Sequence, residues 1–237
     1  MVRSGRWCAS GCPSGAQYQI EIGVFAATAV LMGTLGVLEA AGHQVALHLA
    51  AFTFMVPMGI SQAAAIRVGQ AVGRGDMDAV RRAASAALWF GIVVMAAFAG
   101  LFLTLPDPLA HLWTDKIAVV AIAITLIPIA GVFQVFDGAQ VVCIGILRGT
   151  GDTRTPVLTA IGGFWLIGFP VGWWLGLERG WGPAGLWWGL VAGLATVAVA
   201  LGWRVRRRLD QDLTRIVVDR PVSPAPPTHR TSVSSEA

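Results

Sequence analysis

A chain of 237 residues that is 55% hydrophobic, only 13% charged and has a mean hydropathy of +0.67 is far too apolar for a soluble domain, in which charged residues make up about a quarter of the total. It reads as a polytopic, all-α membrane protein. The net charge of +4 and the pI near 9.6 do not point to nucleic acid, because the basic residues are mostly Arg gathered between apolar runs, as in loops on the cytoplasmic face of a membrane.

Residues 1–10 read as a short cytoplasmic N-terminus and 11–37 as the first span. Arg3 and Arg6 resemble the charged start of a signal peptide, but Gln17, Gln19 and Glu21 follow and no clear cleavage site is present, so the span is expected to be retained. Glu21 lies inside it, with Gln17 one turn earlier and Tyr18, the only tyrosine, three residues earlier on the same helix face. A link at residues 39–42 leads to span two, residues 43–69, which carries Pro57 and the histidines His43 and His48. Histidines at a membrane boundary are more often interfacial or packing residues than proton relays. Residues 70–82 form an arginine-rich link in which Gly73 and Gly75 permit a turn and Asp76 is placed to cap the next helix. Span three, 83–105, carries no charge. The link that follows holds one lysine, Lys116, and no arginine.

Span four, 117–147, is interrupted near its middle by one carboxylate, Asp137. An ionisable side chain at the centre of a membrane helix costs roughly 2.5–3.5 kcal/mol on insertion scales, so it usually faces a cavity or a partner and carries function. At 100° per residue, Phe133, Gln134 and Gln140 fall within about 60° of Asp137 and form a polar strip with it. Span five is expected at 156–177 and span six at 183–203, with Trp173, Trp174, Trp181, Trp187 and Trp188 forming an aromatic belt around their connecting loop. Residues 207–237 read as a cytoplasmic, disordered tail, rich in Pro, Ser and Thr beyond Val217.

Ten arginines (Arg67, Arg74, Arg81, Arg82, Arg148, Arg154, Arg204, Arg206, Arg207 and Arg208) flank one side, against Lys116 and Arg179 on the other, which predicts that both termini are cytoplasmic. Glu21 and Asp137 then lie at equal depth, each ten residues from the cytoplasmic end of its span, roughly 15 Å into the membrane, and meet if the two helices are neighbours. Cys8, Cys12 and Cys143 form no CxxC pair, so neither a disulfide framework nor a zinc site is indicated. No HExxH, GxSxG or Walker loop is present to suggest an enzyme.

The run AGHQVALHLAAFTFMVPMGISQAAAIRVGQAVGRGD, residues 41–76, closely resembles the start of the second half of the multidrug and toxic compound extrusion (MATE) transporters. The run FQVFDGAQVVCIGILRGTGDTRTP, residues 133–156, does so too. The resemblance implies one six-helix lobe of a two-lobe bacterial inner-membrane transporter that exchanges small cationic drug-like compounds for Na⁺ or H⁺, with no further cofactor. The missing N-terminal lobe and membrane lipid are the implied partners. It also implies that Glu21 and Asp137 match the family's cation site, with Na⁺ as the candidate metal; Gln17, Tyr18, Phe133, Gln134 and Gln140 are the candidate supporting residues by their helical spacing from the two acids. Phe133 stands where some NorM-like members place a tyrosine near the ion. The alternatives are a non-transporting half-lobe that needs a first lobe, or a lipid flippase of related fold.

Overall fold

The computed structural model describes residues 5–210, all helical apart from short connections. The helices are α1 (Gly5–Leu35), α2 (Val37–Arg74), α3 (Met77–Thr104), α4 (Pro106–His111), α5 (Ile117–Gly149), α6 (Arg154–Glu178) and α7 (Gly182–Asp210). All but α4 are long and apolar enough to cross a membrane.

Several boundaries differ from those expected. The break between the first two spans is at Gly36, whose φ of 155° reorients the chain, while Glu39 and Gly42 lie inside α2. Glu39 reads as a loop residue by charge but occupies the first turn of a helix, where a carboxylate favours the helix dipole. A side chain at Gly42 would meet Ile122 Cγ2 at 2.6 Å, so that glycine serves helix packing. α1 starts at Gly5, inside the expected N-terminal segment, and the link after α3 holds the short helix α4. The first four residues of the expected tail, 207–210, belong to α7; the remainder of the tail lies outside the described residues.

The expected turn after α2 is present. Gly75 is left-handed, φ 72°, the N–H of Asp76 donates to Ala71 O at 3.1 Å, and the Asp76 carboxylate accepts from Ala79 N at 2.8 Å to cap α3.

The lobe is arranged around α5, which packs against α2, α3, α4 and α7. Within the apolar windows of α5 and α7, 56% and 61% of residues are buried, against 22–33% in the other four spans. Lipid tails are as apolar as leucine, so the helices are held by close approach and cross-helix hydrogen bonds rather than by water exclusion. A Cβ on Gly138 would lie 2.3 Å from Met95 Cγ of α3, and one on Gly145 would lie 2.3 Å from Ser61 O of α2. Beside Gly145, the Ser61 hydroxyl donates to Val141 O at 2.6 Å.

α6 and α7 touch backbone to backbone along facing rows of glycine: 163, 168, 172 and 176 against 185, 189 and 193. α6 is not a plain α-helix. Residues Ile161–Gly168 and Trp174–Glu178 are wound as π-helix, with the wider i→i+5 turn. That winding accommodates the five-residue step from Gly163 to Gly168, where all other steps in the row are four.

Candidate functional site

Glu21 of α1 and Asp137 of α5, 116 positions apart in the chain, line one cavity of about 360 Å³. Its remaining wall is Tyr18, Ile22 and Phe25 of α1, Leu47, Ala50, Ala51 and Phe54 of α2, and Phe133 of α5. The two carboxylates are close enough for their charges to interact. Glu21 is held from both sides: Gln17 Nε2 donates to Glu21 Oε1 at 3.1 Å and Gln140 Nε2 donates to the same oxygen at 2.9 Å. The second bond ties α1 to α5. The Gln140 amide oxygen is buried with no hydrogen-bond partner among the described residues, an unusual state for a buried polar atom. Gln140 does not itself line the cavity; the two carboxylates that do are oxygen donors of the kind that can take up a proton or a small hard cation. Among the described residues no cluster of three or more His, Cys, Asp and Glu is present.

Tyr18 carries a contact that the sequence did not reveal. The Arg148 guanidinium stands over its ring, 5.6 Å from the centroid, and acts electrostatically on Glu21. Arg148 counts in the sequence only as one more positive-inside residue; the helical path of α5 brings it back towards α1.

Phe133, 3% exposed, is packed edge-on between Phe25 (6.0 Å, 78°) and Trp187 (5.9 Å, 81°), and Trp187 in turn meets His43 at 5.8 Å. This aromatic chain fixes the back of the cavity. Trp187 is completely buried and so is not part of the aromatic belt; Trp173, Trp174, Trp181 and Trp188 are exposed, as a belt requires. His43 is buried against Trp187 with neither ring nitrogen hydrogen-bonded among the described residues, and His48 stacks on Trp113 at 5.1 Å. His43 is packed in the interior, whereas His48 is exposed.

Gln134 does not join the cavity. Its amide nitrogen donates to the Thr53 hydroxyl of α2, and that hydroxyl donates to the carbonyls of Leu49 and Ala50. The expected strip on α5 therefore divides, with Phe133, Asp137 and Gln140 turned towards α1 and Gln134 towards α2. Cys143 is free and buried; the side chains of Cys8 and Cys12 lie outside the described residues.

At the end of α5 the chain turns through Gly151 (φ 79°) to Asp152, which is 8% exposed. One Asp152 oxygen accepts from Thr155 N at 3.2 Å, the other from Arg204 Nε at 2.9 Å, and Arg204 Nη2 reaches that second oxygen at 2.8 Å. Burial pushes the Asp152 pKa up, but Arg204 and Thr155 outweigh it and hold the carboxyl below the usual carboxylate range. The cluster pins the α5–α6 turn to α7.

The MatE family model matches residues 13–174. The chain belongs to the MATE family. It is 45% identical over 205 residues to the multidrug resistance protein NorM of Burkholderia vietnamiensis, a match covering 82% of this chain and 43% of that protein. It is 41% identical over 208 residues to a probable multidrug resistance protein NorM of Pseudomonas putida, covering 84% and 45%. Among solved structures, the eukaryotic MATE transporter AtDTX14 superimposes with a TM-score of 0.81 at 22% identity, over 88% of this chain and 48% of that one. The Vibrio cholerae MATE transporter VcmN in its bent form gives 0.76 at 16% identity, over 84% and 45%. The chain spans less than half the length of the curated relatives it matches, and its six spanning helices have the fold of one MATE lobe.

Proposed function

We propose that this MATE chain is the second six-helix lobe of a multidrug efflux transporter of the bacterial inner membrane, with both termini cytoplasmic. It exchanges cationic amphiphilic compounds for Na⁺ or H⁺ at Glu21 and Asp137. The observation that carries the proposal is the shared cavity: two carboxylates on separate helices face the same apolar-walled space. Close like charges in such a space repel unless a cation sits between them or a proton neutralises one of them. A proton, a Na⁺ ion and a cationic drug then compete for one place, and competition is coupling. Gln17 and Gln140 hold Glu21 in position. A membrane potential of 100 mV supplies about 2.3 kcal/mol for each elementary charge moved.

In two-lobe transporters the substrate path lies between the repeats, so one lobe supplies one wall. Residues 1–237 expressed alone should leave cells as sensitive to ethidium-like cations as empty-vector cells; energised efflux from the lone chain would count against a two-lobe path. The site is tested in the two-lobe protein, reconstituted in vesicles under imposed Na⁺ or pH gradients. Asp137→Asn keeps the side chain's size but cannot carry the charge that a cation neutralises, and should abolish coupled transport while the protein remains inserted. Glu21→Gln should do the same, and the double variant should be no worse than either. Wild-type exchange by Asp137→Asn would overturn the assignment. The gradient that drives transport names the ion.

A further inference from the structure

A second concave feature lies on another side of α5. Asp137 and Phe133 face the carboxylate cavity, whereas Ala139 and Cys143, turned away by about 120° on the helix, form the floor of a groove between α3 and α7 of about 620 Å³. Its walls are apolar, with Leu88 and Ile92 on α3 and Ala198, Gly202 and Trp203 on α7. At its arginine-rich end the groove runs into a polar mouth of about 490 Å³, formed by Arg81, Arg82, Ser85, Arg206, Leu209 and Asp210. Ser85, Arg206 and Leu209 belong to both.

The arginines at the mouth are not equivalent. Arg81 is engaged, with its Nε donating to Leu209 O at 3.2 Å and its Nη1 3.8 Å from Asp78. Arg82 and Arg206 are exposed and form no ion pair among the described residues. Asp210 offsets part of their charge. The mouth therefore presents two guanidinium groups above an apolar slot, the Ser85 hydroxyl being taken up by the carbonyl of Arg82 at 3.1 Å. Positive-inside placement accounts for arginines at this end of the helices, but not for the slot beneath them.

We propose that this groove is a binding site for one anionic phospholipid, its acyl chain lying between α3 and α7 and its phosphate bound by Arg82 and Arg206. The slot is a size that ligand sites commonly have. Because an acyl chain gains little by leaving other lipid for an apolar groove, selectivity has to come from the headgroup, and basic pockets between membrane helices select anionic headgroups on this ground. The site is distinct from the carboxylate cavity and does not depend on the transport reading.

The test is native mass spectrometry of the full chain, released from mixed micelles holding equal phosphatidylglycerol and phosphatidylcholine. One phosphatidylglycerol per chain should be retained in preference to phosphatidylcholine, and millimolar inorganic phosphate should not displace it. Arg82→Gln with Arg206→Gln should reduce retention by about fivefold for each arginine, while Arg154→Gln, outside the groove, should leave it unchanged. Gly202→Leu, where no atom lies within 4 Å to obstruct a side chain, should fill the slot and also lower retention without touching the arginines. Equal retention of the two lipids, displacement by phosphate alone, an equal loss with Arg154→Gln, or full retention by Gly202→Leu would each overturn the proposal. So would binding that emerges only when residues 211–237 are removed, which would assign the groove to the chain's own C-terminal segment.

Discussion

Replacing Gly189 with alanine should destabilise the lobe, although alanine is the better helix former. A Cβ at this position would lie 2.2 Å from Gly172 Cα, 2.3 Å from Gly172 N and 2.8 Å from Gly168 O, where ordinary contacts begin at 3.4 Å. The shortfall exceeds an ångström, and the obstructing atoms are backbone that no rotamer change can move aside. Overpacking of this kind costs typically 1–3 kcal/mol. Alanine's helix preference returns about 0.8–1.0 kcal/mol, so a net loss of up to about 2 kcal/mol is expected. Gly202, on the same helix, has no atom within 4 Å of the same added carbon, and there the propensity gain of up to about 1 kcal/mol should act unopposed. Two identical substitutions on α7 should therefore shift stability in opposite directions. Thermal unfolding in detergent micelles, followed by helical circular dichroism, would show it as a fall in Tm for one and a rise for the other, at about 2–4 °C per kcal/mol. Equal shifts of the same sign would refute the close contact of α6 and α7.

Asp152→Asn should weaken the attachment of the α5–α6 turn to α7 by about 1–3 kcal/mol, since hydrogen bonds to a charged group are lost and Arg204 is left uncompensated; chemical denaturation in micelles would measure it. Because the Asp152 carboxyl is held below its unfolded pKa of about 3.9, its contribution is complete above that pH and is lost as pH falls through the folded value. Acid titration of the wild type below about pH 4 should show this loss, and Asp152→Asn should lack it. Gln140→Leu removes the α5 donor to Glu21 at a cost of roughly 0.6–1.7 kcal/mol, which chemical denaturation in micelles should show as a loss of stability of that size. Cysteines introduced between Ala71 and Asp78 should resist membrane-impermeant reagents in intact cells; ready labelling would reverse the orientation.

The spans were legible because each is a long run of apolar residues, and the equal depth of Glu21 and Asp137 anticipated their meeting in one cavity. The Gly36 break was hidden because Glu39 and Gly42 together look more like a loop than a lone glycine does. Distinguishing them requires knowing that Gly42 lies against Ile122, a tertiary fact. Gln134 and Gln140 look alike on a helical projection, yet Thr53 on α2 takes one and Glu21 on α1 takes the other. Trp187 is hard to place for the same reason, since Trp181 and Trp188 on either side of it are exposed and only the packing of α7 on α5, with His43 of α2 against its ring, turns it in. For the π winding the sequence held one clue, the five-residue interval between Gly163 and Gly168.

That interval bears on which length changes the protein tolerates. In an i→i+5 ladder five residues occupy a turn that four nearly fill in an α-helix, so the fifth span stores a surplus residue between its first two contact glycines. Loss of one of residues 164–167 lets the winding return to α with both glycines still facing α7. Loss of one of residues 186–188 has no such reserve, because it swings Gly189 and Gly193 about 100° away from their partners. Two neighbouring helices of nearly equal apolarity thus differ sharply in the deletions they absorb: α6 carries slack, and α7 carries none.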